Sequence, residues 1–427
     1  MKTNVLIFPA GEINSVELHD ALAHNVNIKL FGASSVDRHG PYIFENYKGD
    51  LPYIVSDSFI GEFNKLISEW NIDCVFPTHD SIALYLAEHR DEINAMIITA
   101  SYDTALVCRD KEKTYELFAD CDFCPKQFAE IESFPCFIKP KEGQGAVGAK
   151  VIEKKEDIPE NIELSEYVIC EYLPGGELTV DCVTDAEGKL CAVLPRKRLR
   201  TMAGVSVAGE TIDASEEIQA IAETINERLE FLGLWYFQLK QDNSGKYKLL
   251  EVSARCAGTM CLSRARGVNL PLLSVYSALG NKISVFENPY KVKLDRVLIS
   301  RYKIDYEYDT IYVDYDDTVT EGDKVCLPVI QFLYQCRNLG KKLVLVTRHE
   351  SDHDDSVEES LAKHCIAATL FDEIIKLSFE EDKTSVIKPD RAIFIDNAYA
   401  ERKKVHDAYN ITVFDVEGME VLMDWRV

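Results

Sequence analysis

The chain lacks any long apolar stretch: no run approaches the about 20 residues that a bilayer-spanning helix requires. Its first residues lead into a short apolar run, without the longer h-region of a secretory signal peptide. The thirteen cysteines follow no repeating spacing, so no disulfide framework is indicated. From these absences we expect a cytoplasmic protein in a reducing compartment, with no membrane partner.

Positive charge is also scarce. The sequence has 47 Lys and Arg against 72 Asp and Glu, a formal net charge of −25. Because binding to a nucleic-acid backbone requires clustered cations, this balance argues against a nucleic-acid partner. One dense basic cluster stands out, formed by Arg196, Lys197, Arg198 and Arg200. It is either part of a locally basic cleft for anions or a solvated strand end paired with surface acids.

Three segments of different pattern follow one another, and 427 residues exceed what one hydrophobic core usually supports. The first segment alternates strands with helices, which predicts a parallel α/β domain over residues 1–105. The second has longer strands and one long helix, and predicts a mainly antiparallel α+β domain over 106–297. Alternation returns in the third, which predicts a second α/β domain over 298–427. The predicted fold class is therefore α/β and α+β, multidomain.

A glycine-rich segment follows the strand that ends at Ile138-Lys139-Pro140, with the sequence Gly143-Gln144-Gly145-Ala146-Val147-Gly148. Glycines let backbone N–H groups approach phosphate oxygens, and a lysine at the strand end adds a point charge for the same anion. Taken alone, the segment is more readily explained as an ordinary hairpin turn.

Further residues in a fixed order change that balance. They are Asp110-Lys111, Glu171-Tyr172-Leu173, Gly175-Gly176-Glu177, Asp181, Gln238, Glu251-Val252-Ser253-Ala254-Arg255 and Gly258. Together with the glycine-rich segment they resemble the ATP-grasp superfamily, especially its carbamoyl-phosphate-synthase-like and carboxylate-amine ligase branch, over about residues 1–297. The resemblance implies an ATP-grasp fold, in which a parallel N-terminal α/β domain precedes antiparallel nucleotide-binding domains.

The resemblance also implies roles in holding ATP. The residues concerned are Lys111 and Lys139 at the nucleotide, Gly143, Gly145 and Gly148 in a lid over the phosphates, Glu171 and Leu173 in the adenine-binding hinge, and Glu177 at the ribose hydroxyls. Arg196 and Arg198, from the basic cluster, would line the cleft for ATP phosphates and an anionic co-substrate.

Metal binding and phosphoryl transfer are implied at the end of this segment. Gln238, Glu251 and Ser253 correspond to Mg²⁺ ligands, and Arg255 to a residue that stabilises the transferring phosphoryl group. The family usually has Asn where this chain has Ser253, whose hydroxyl is a weaker ligand. The predicted cofactors are ATP and Mg²⁺.

A separate set of polar residues lies in the third segment. Asp314 and Asp316 follow the apolar run Ile311–Val313, and residues i and i+2 of an extended segment share a side. Thr347 ends the next strand, Lys383 begins a later helix, and Asp396 ends a further strand. We expect these residues to meet at the carboxyl edge of a parallel sheet, where α/β ligand sites lie.

This set resembles the haloacid-dehalogenase-like (HAD) hydrolase superfamily over residues 305–427. The resemblance implies that Asp314 is the nucleophile, that Asp316 is the general acid and base, and that Thr347 and Lys383 hold phosphoryl oxygens. Asp396, Asp314 and the carbonyl of Asp316 would hold Mg²⁺. The intervals from Asp314 to Thr347 and from Thr347 to Lys383 are short, which predicts a capless, Rossmann-like domain with an open site.

The combined prediction is a bifunctional enzyme. Its first part would activate a small-molecule carboxylate as an acyl phosphate for attack by an amine, and its second part would hydrolyse a phosphorylated small molecule. Two alternatives for the first part are a small-molecule kinase and an ATP-binding sensor or scaffold without turnover. The second part could also be a decayed domain. No state of assembly is indicated.

Two further features invite a metal role. Cys121 and Cys124 have CxxC spacing, but no second pair follows at the spacing of a zinc finger. His349 and His353 lie with Asp352, Asp354 and Asp355 in a polar segment after Thr347. We interpret that segment as a solvated loop bordering the phosphatase site, with a second metal site as the alternative.

Overall fold

The computed structural model describes residues 2–143, 145–159, 162–202 and 204–426, so that Gln144 of the glycine-rich segment lies outside the described residues. Contacts divide the chain into two compact units, Met1–Leu298 and Ile299–Val427. The predicted division at residue 105 falls within a helix, Tyr102–Arg109, and remains a prediction. Among the described helices, none is long and apolar enough to cross a membrane.

The first unit begins with a five-stranded parallel sheet in the order β3-β2-β1-β4-β5. Its elements are β1 (Thr3–Phe8), α1 (Ile13–Leu22), β2 (Ile28–Ala33), α2 (Gly40–Ile43), β3 (Asn46–Lys48), α3 (Phe59–Trp70), β4 (Cys74–Pro77), α4 (Asp80–Glu88) and β5 (Met96–Ile97). Successive residues of β1 alternate between two cores: Val5 and Ile7 join one, and Leu6 and Phe8 join the other. The sheet is therefore packed on both faces, as its near-continuous apolar strands predict.

Two antiparallel sheets complete the unit. The helices α5 (Tyr102–Arg109) and α6 (Lys111–Leu117) precede a four-stranded sheet of β6 (Gln127–Phe128), β7 (Cys136–Pro140), β8 (Lys150–Ile152) and β9 (Tyr167–Glu171). The six-stranded sheet comprises β10 (Glu177–Thr184), β11 (Leu190–Met202), β12 (Val205–Thr211), β13 (Gly233–Gln241), β14 (Tyr247–Ser253) and β15 (Lys293–Asp295), in the order β14-β13-β10-β11-β12-β15. The remaining helices are α7 (Glu216–Arg228), α8 (Cys261–Ala265) and α9 (Leu270–Ala278).

The long helix α7 shows how sequence pattern becomes packing. Ser215 caps its first turn by accepting a hydrogen bond from the Ile218 N–H. Ile218, Ile221 and Ile225 are buried on one face against the six-stranded sheet. The helix ends at Arg228, so Leu229, which the apolar periodicity includes, packs from the segment after it.

The second unit is built on a five-stranded parallel sheet in the order β20-β19-β16-β21-β22. Its elements are β16 (Thr310–Val313), the hairpin strands β17 (Thr320–Glu321) and β18 (Lys324–Val325), α10 (Leu327–Asn338), β19 (Lys342–Thr347), α11 (His349–Asp352), α12 (Val357–Lys363), β20 (Glu373–Lys376), β21 (Ala392–Ile395), α13 (Tyr399–Tyr409) and β22 (Thr412–Phe414). Lys383 begins a single 3-10 turn, Lys383–Ser385, where the sequence predicted a helix.

The strands of this sheet are also buried on both faces. In β16, Ile311 and Val313 pack in a core with α10 and α12, whereas Tyr312 packs in a second core with α13. After β16 the chain makes a wide turn over Tyr315–Val319, in which Asp317 has a φ of 54°. Aspartate is one of the few non-glycine residues that adopts this left-handed conformation readily, so the turn needs no glycine.

A buried ion pair joins β10 to β11 in the first unit. Arg196 donates from Nε and Nη2 to the two carboxylate oxygens of Asp181 at 2.9 and 2.8 Å, and Ser263 Oγ donates to the same carboxylate at 3.0 Å. Both ionised side chains are 2 % exposed or less. Each charge is therefore compensated inside the unit, and neither could be removed alone without leaving the other unpaired.

We expect Asp181→Ala to lower the free energy of unfolding of the first unit by about 3–5 kcal/mol, because it leaves the Arg196 guanidinium buried without a counter-charge. Urea unfolding followed by tryptophan fluorescence would measure the change. The matched control is Asp120→Ala, which removes an exposed partner of Arg228 and should change stability little. An Asp181→Ala midpoint equal to that of the wild type would contradict the prediction.

Candidate functional site

The first unit contains a cavity of about 240 Å³ between its two antiparallel sheets. Most of the predicted nucleotide and metal residues line it: Lys111, Lys139, Gly143, Gly145, Glu171, Leu173, Glu177, Arg198, Gln238 and Glu251. They come from α6, from β7 and the loop that follows it, from the end of β9 and the segment after it, and from the strands β10, β11, β13 and β14. Residues far apart in sequence are therefore gathered at one concave site.

Lys139 is the buried cation of this cavity. Its Nζ donates to Tyr115 Oη at 2.5 Å and to the Leu250 carbonyl oxygen at 2.7 Å. Burial lowers the pKa of Lys139 to about 8, and the nearby carboxylates of Glu251 and Glu177 only partly oppose this shift. An anion in the cavity would favour the charged form of this lysine.

Lys111 reaches the same cavity from the start of α6. The Asp110 side chain caps that helix by accepting from the Glu112 N–H at 2.9 Å. Lys111 Nζ donates to the carbonyl oxygen of Gly143 at 3.4 Å, which ties the lysine to the start of the glycine-rich loop.

Two glycine turns meet over the cavity. Gly204 has a φ of 76°, and a Cβ on it would lie 2.3 Å from the carbonyl carbon of Gly145. The two backbones can approach this closely only because Gly204 has no side chain. Gly148, at a φ of 77°, also cannot easily be replaced by a larger residue, since a Cβ there would lie 2.9 Å from Pro140 Cγ.

A second cavity of about 230 Å³ adjoins the first. The two share Lys111, Gly143, Gly145, Arg198, Gly204, Gln238 and Glu251. Several residues line only the second cavity: Thr78, His79 and Asp80 after β4, Arg109 and Arg196, and Ser253 and Arg255. The shared residues mark the place where a group could pass from one cavity to the other.

Two of the three Mg²⁺ ligands predicted for this unit, Gln238 and Glu251, lie at this junction, whereas Ser253 lines only the second cavity. Gln238 and Glu251 are direct partners in the register of β13 and β14, so their side chains leave the sheet on the same face. Amide and carboxylate oxygens are hard ligands of the kind that Mg²⁺ takes beside nucleotide phosphates. The donor set therefore fits the metal that the sequence predicted.

Ser253 and Arg255 both contact Asp80, a residue that the sequence analysis did not select. Ser253 Oγ donates to Asp80 Oδ1 at 2.7 Å, and Arg255 Nη2 donates to Asp80 Oδ2 at 2.7 Å. Burial alone would raise the pKa of Asp80, but Arg255 outweighs it and holds the pKa at about 2. Its position at the start of α4, shortly after the buried strand β4, was the available signal, because ligand sites lie at such strand ends.

Two arginines of the basic cluster, Arg196 and Arg198, differ in their contacts. Arg196 lines the second cavity, yet its guanidinium is engaged by Asp181. Arg198 pairs with Glu177 at 2.8 Å and donates to the carbonyl oxygen of Gly204 at 2.7 Å, at the junction of the cavities. The nucleotide roles of both arginines remain predictions.

In the second unit the predicted residues meet at one sheet edge. Asp314 and Asp396 follow the adjacent parallel strands β16 and β21. Lys383 Nζ lies between them, 2.6 Å from Asp314 Oδ1 and 2.7 Å from Asp396 Oδ2. All three side chains are buried.

Burial and charge compete in this cluster. Burial raises the pKa of Asp314, although Lys383 acts against the shift. Burial alone would lower the pKa of Lys383, but the two carboxylates outweigh it and the pKa is raised. Two carboxylates beside one ammonium leave an excess of negative charge that suits a divalent cation, so the donor set fits Mg²⁺.

Asp316 lies beside this cluster with its two oxygens turned to different partners. Thr347 Oγ1 donates to Oδ2 at 3.4 Å, and the His349 ring lies 2.7 Å from Oδ1. Thr318, which the sequence analysis did not select, donates to Asp314 Oδ2 at 3.4 Å and accepts from the Asn397 N–H at 3.0 Å. It joins the two strand ends, and only its position in the Asp-Tyr-Asp-Asp-Thr segment could have indicated this.

Comparisons with known proteins bear on the first unit. Residues 163–298 match a family described as ATP-grasp in the biosynthetic pathway with Ter operon. The carbamoyl-phosphate synthase of Methanobrevibacter smithii is 25% identical over 265 residues, which cover 55% of this chain and 71% of that protein.

Solved structures agree on the fold. The N5-carboxyaminoimidazole synthetase of Staphylococcus aureus, complexed with ADP, has a TM-score of 0.56 at 13% identity, covering 66% of this chain and 78% of that chain. An L-amino acid ligase from Bacillus licheniformis has a TM-score of 0.53 at 15% identity, covering 65% and 74%. ATP-grasp enzymes use ATP and Mg²⁺, the cofactors predicted from the sequence. The first unit therefore has the ATP-grasp fold that the sequence predicted for it.

Proposed function

We propose that the first unit is an ATP-dependent ligase that activates a small-molecule carboxylate and joins it to an amine. The observation that carries this proposal is the junction of two cavities at Lys111, Arg198, Gln238 and Glu251. A nucleotide in the first cavity and an acceptor in the second would meet there. All thirteen cysteines are free, which is consistent with the cytoplasmic location that we include in the proposal.

Within this proposal, the residues of the first cavity bind and orient MgATP. Lys139 and Lys111 neutralise the phosphates, the loop that includes Gly143 and Gly145 supplies backbone N–H groups, and Glu177 hydrogen-bonds the ribose. Gln238 and Glu251 hold Mg²⁺, which stabilises charge on the phosphates. Glu171 and Leu173 line the wall assigned to adenine.

The second cavity supplies the acceptor side. Its wall combines the cations Arg109 and Arg255 with the carboxylate of Asp80. Arg109, partly buried, is paired with Glu142 only at 3.7 Å, so it remains suited to an acceptor carboxylate. Arg255 is held by Asp80 at a fixed orientation, from which it would stabilise the transferring phosphoryl group.

We expect full-length Asp314→Asn protein, in which the proposed phosphatase is silenced, to release ADP only when both a carboxylate and an amine are supplied. Adding Glu251→Gln should lower the rate about a hundredfold, because the negative charge that helps to hold the metal at the transferring group is lost. Coupled ADP detection and mass spectrometry over a panel of acids and amines would measure this. Exposed Glu187→Gln is the matched control.

The outcomes of that panel separate the alternatives. ADP release with a stable phosphorylated product and no need for amine would replace the ligase by a small-molecule kinase. ATP binding without turnover across the whole panel would replace it by a sensor. The Ser253 hydroxyl, which donates to Asp80, is the feature that makes the second outcome worth measuring.

Lys139 generates a prediction about pH. Because its pKa in the free protein is about 8, the lysine is charged below pH 8 and must take up a proton to meet ATP above it. Affinity for ATP should therefore fall as pH rises above about 8, by up to about tenfold per pH unit, until the pKa of the complex is reached.

Calorimetry in buffers of different ionisation enthalpy, between about pH 8 and 9.5, would reveal the proton uptake. Lys139→Met should bind ATP more weakly and lose this uptake, while Lys113→Met, an exposed lysine on α6, should retain both affinity and uptake. Identical proton uptake by wild type and Lys139→Met would refute the assignment.

We propose a HAD-type phosphatase for the second unit, carried by the convergence of Asp314, Lys383 and Asp396 with Asp316 beside them. Asp314 would attack phosphorus to form an aspartyl phosphate, and Asp316 would protonate the leaving oxygen and then activate water. Lys383 and Thr347 would hold the phosphoryl oxygens, and Asp314, Asp396 and the Asp316 carbonyl would hold Mg²⁺.

We expect Asp314→Asn to reduce hydrolysis of phosphate monoesters at least about a thousandfold, because the nucleophile is lost while its volume is kept. An aryl phosphate and a pool of metabolite phosphates, supplied with Mg²⁺, serve as substrates, and acid quenching should trap covalent phosphate on wild-type protein only. Asp323→Asn, at a highly exposed carboxylate, is the control. Equal hydrolysis by Asp314→Asn and wild type would reject Asp314 as nucleophile.

A further inference from the structure

The segment after Thr347 contains a buried histidine that the proposed reaction does not use. His349 is 3 % exposed, and its Nδ1 lies 2.7 Å from Asp316 Oδ1. The backbone N–H of His349 donates to Thr347 Oγ1 at 2.9 Å, and the imidazole ring packs edge-on against the ring of Tyr315. The imidazole is therefore held in one place, facing the carboxylate oxygen that Thr347 leaves open.

A second histidine faces the same oxygen. His353 Nε2 lies 3.7 Å from Asp316 Oδ1, and the three ligand atoms of Asp316, His349 and His353 all lie within 4.8 Å of one another. The two histidines are four residues apart, at the start and just beyond the end of the short helix α11. This spacing places two side chains on one side of a helical turn.

The separations are close to those of a tetrahedral metal site. Ligand bonds of about 2.1 Å to Zn²⁺ place neighbouring ligand atoms about 3.4 Å apart. The distances of 2.7 and 3.7 Å to Asp316 Oδ1 lie on either side of that value. His353 is about half exposed and its ring stacks on His349 at 4.5 Å, so the outer ring is the one that can turn toward a shared ion.

A carboxylate supports the inner histidine from behind. Asp355 Oδ1 lies 3.3 Å from Nε2 of His349, the nitrogen that faces away from Asp316. Metal-binding histidines commonly place their second nitrogen against a carboxylate, which fixes the ring and its tautomer. This observation is independent of the cluster itself and points to Nδ1 as a ligand atom.

The donor set differs from that of the neighbouring Mg²⁺ ligands. Asp314 and Asp396 offer only oxygens and lie against the Lys383 ammonium, whereas the second set offers two imidazole nitrogens and one carboxylate. Imidazole ligands favour Zn²⁺ and similar transition metals over Mg²⁺. One carboxylate and two neutral imidazoles leave a divalent ion with a positive charge and room for water.

We propose that Asp316, His349 and His353 form a binding site for a transition metal of the Zn²⁺ class. An ion there occupies Asp316 Oδ1 and prevents this carboxylate from acting as general acid and base, so the metal holds the phosphatase inactive. Metal binding is a property of the three residues alone, whereas the inhibitory effect rests on the proposed phosphatase function.

The first experiment measures binding on the full-length protein. Competition with a chromogenic chelator gives the Zn²⁺ affinity, and Co²⁺ gives a visible spectrum from the site. Because the chain has thirteen free cysteines, absence of a thiolate-to-cobalt charge-transfer band identifies the nitrogen and oxygen site. Asp355→Asn should weaken binding about tenfold to a hundredfold, and His353→Asn at least as much. His24→Asn, at an exposed histidine, should bind as the wild type does.

The second experiment measures aryl phosphate hydrolysis in Mg²⁺ with and without Zn²⁺. We expect Zn²⁺ to inhibit the wild type at the concentration at which it binds, and His353→Asn to shift that concentration upward by the same factor as the affinity. Zn²⁺ binding without any hydrolysis, either with or without Zn²⁺, would support the metal site and reject the proposed phosphatase function.

Two results would overturn the inference. No cobalt spectrum of nitrogen and oxygen type, with Zn²⁺ affinity equal in wild type, His353→Asn and Asp355→Asn, would show that Asp316 and His349 are hydrogen-bonded to each other and bind no metal. Zn²⁺ binding at the three residues with unchanged hydrolysis would reject the inhibitory role.

Discussion

Both units depend on holding cations inside a protein of strong negative charge. A buried ammonium or guanidinium loses its hydration, and only an anion or several hydrogen bonds can compensate for that loss. Lys139 is compensated by two oxygen acceptors, Arg196 by Asp181, and Lys383 by two carboxylates. How fully these partners compensate each positive charge determines which cations can still bind an anionic ligand and which stabilise the fold.

The difference between Lys139 and Arg196 illustrates this division. Lys139 has neutral acceptors, so its charge is poorly compensated and its pKa falls to about 8. Arg196 has a carboxylate partner that it contacts through two hydrogen bonds, so its charge is compensated by an opposite charge. Although both side chains point into cavities, an incoming phosphate would gain more from the first than from the second. Arg198, bound to Glu177 at the junction, lies between the two cases.

Much of this could be predicted from the sequence because the residues occur at strand ends. Asp314 and Asp396 follow neighbouring parallel strands, so their convergence follows from sheet topology. Lys139 and Glu251 lie on strands of two different sheets, and the resemblance to a known family predicted that they share a site. The partners of Ser253 and Arg255 could not be predicted, since Asp80 lies more than 170 residues away in sequence. The same holds for Thr318 beside Asn397: contacts between loops depend on how strands are ordered, and that order is not contained in local pattern.

The burial of individual side chains, such as His349, also could not be predicted from the sequence. His349 lies among Glu350, Asp352, Asp354 and Asp355, and such a polar segment predicts a solvated loop. Its neighbours are exposed or half-buried, yet the histidine itself turns inward beneath the Tyr315 ring and against Asp316.

A polar side chain that is buried in a charged segment needs hydrogen bonds to specific partners, because the hydrophobic effect alone does not stabilise a buried imidazole. The carboxylates on its two nitrogens supply these hydrogen bonds. Asp316 itself turns Oδ2 toward Thr347 and Oδ1 toward the two histidines. An ion held at Oδ1, as we propose, would take this carboxylate out of proton transfer while leaving the contacts of Lys383 with Asp314 and Asp396 in place.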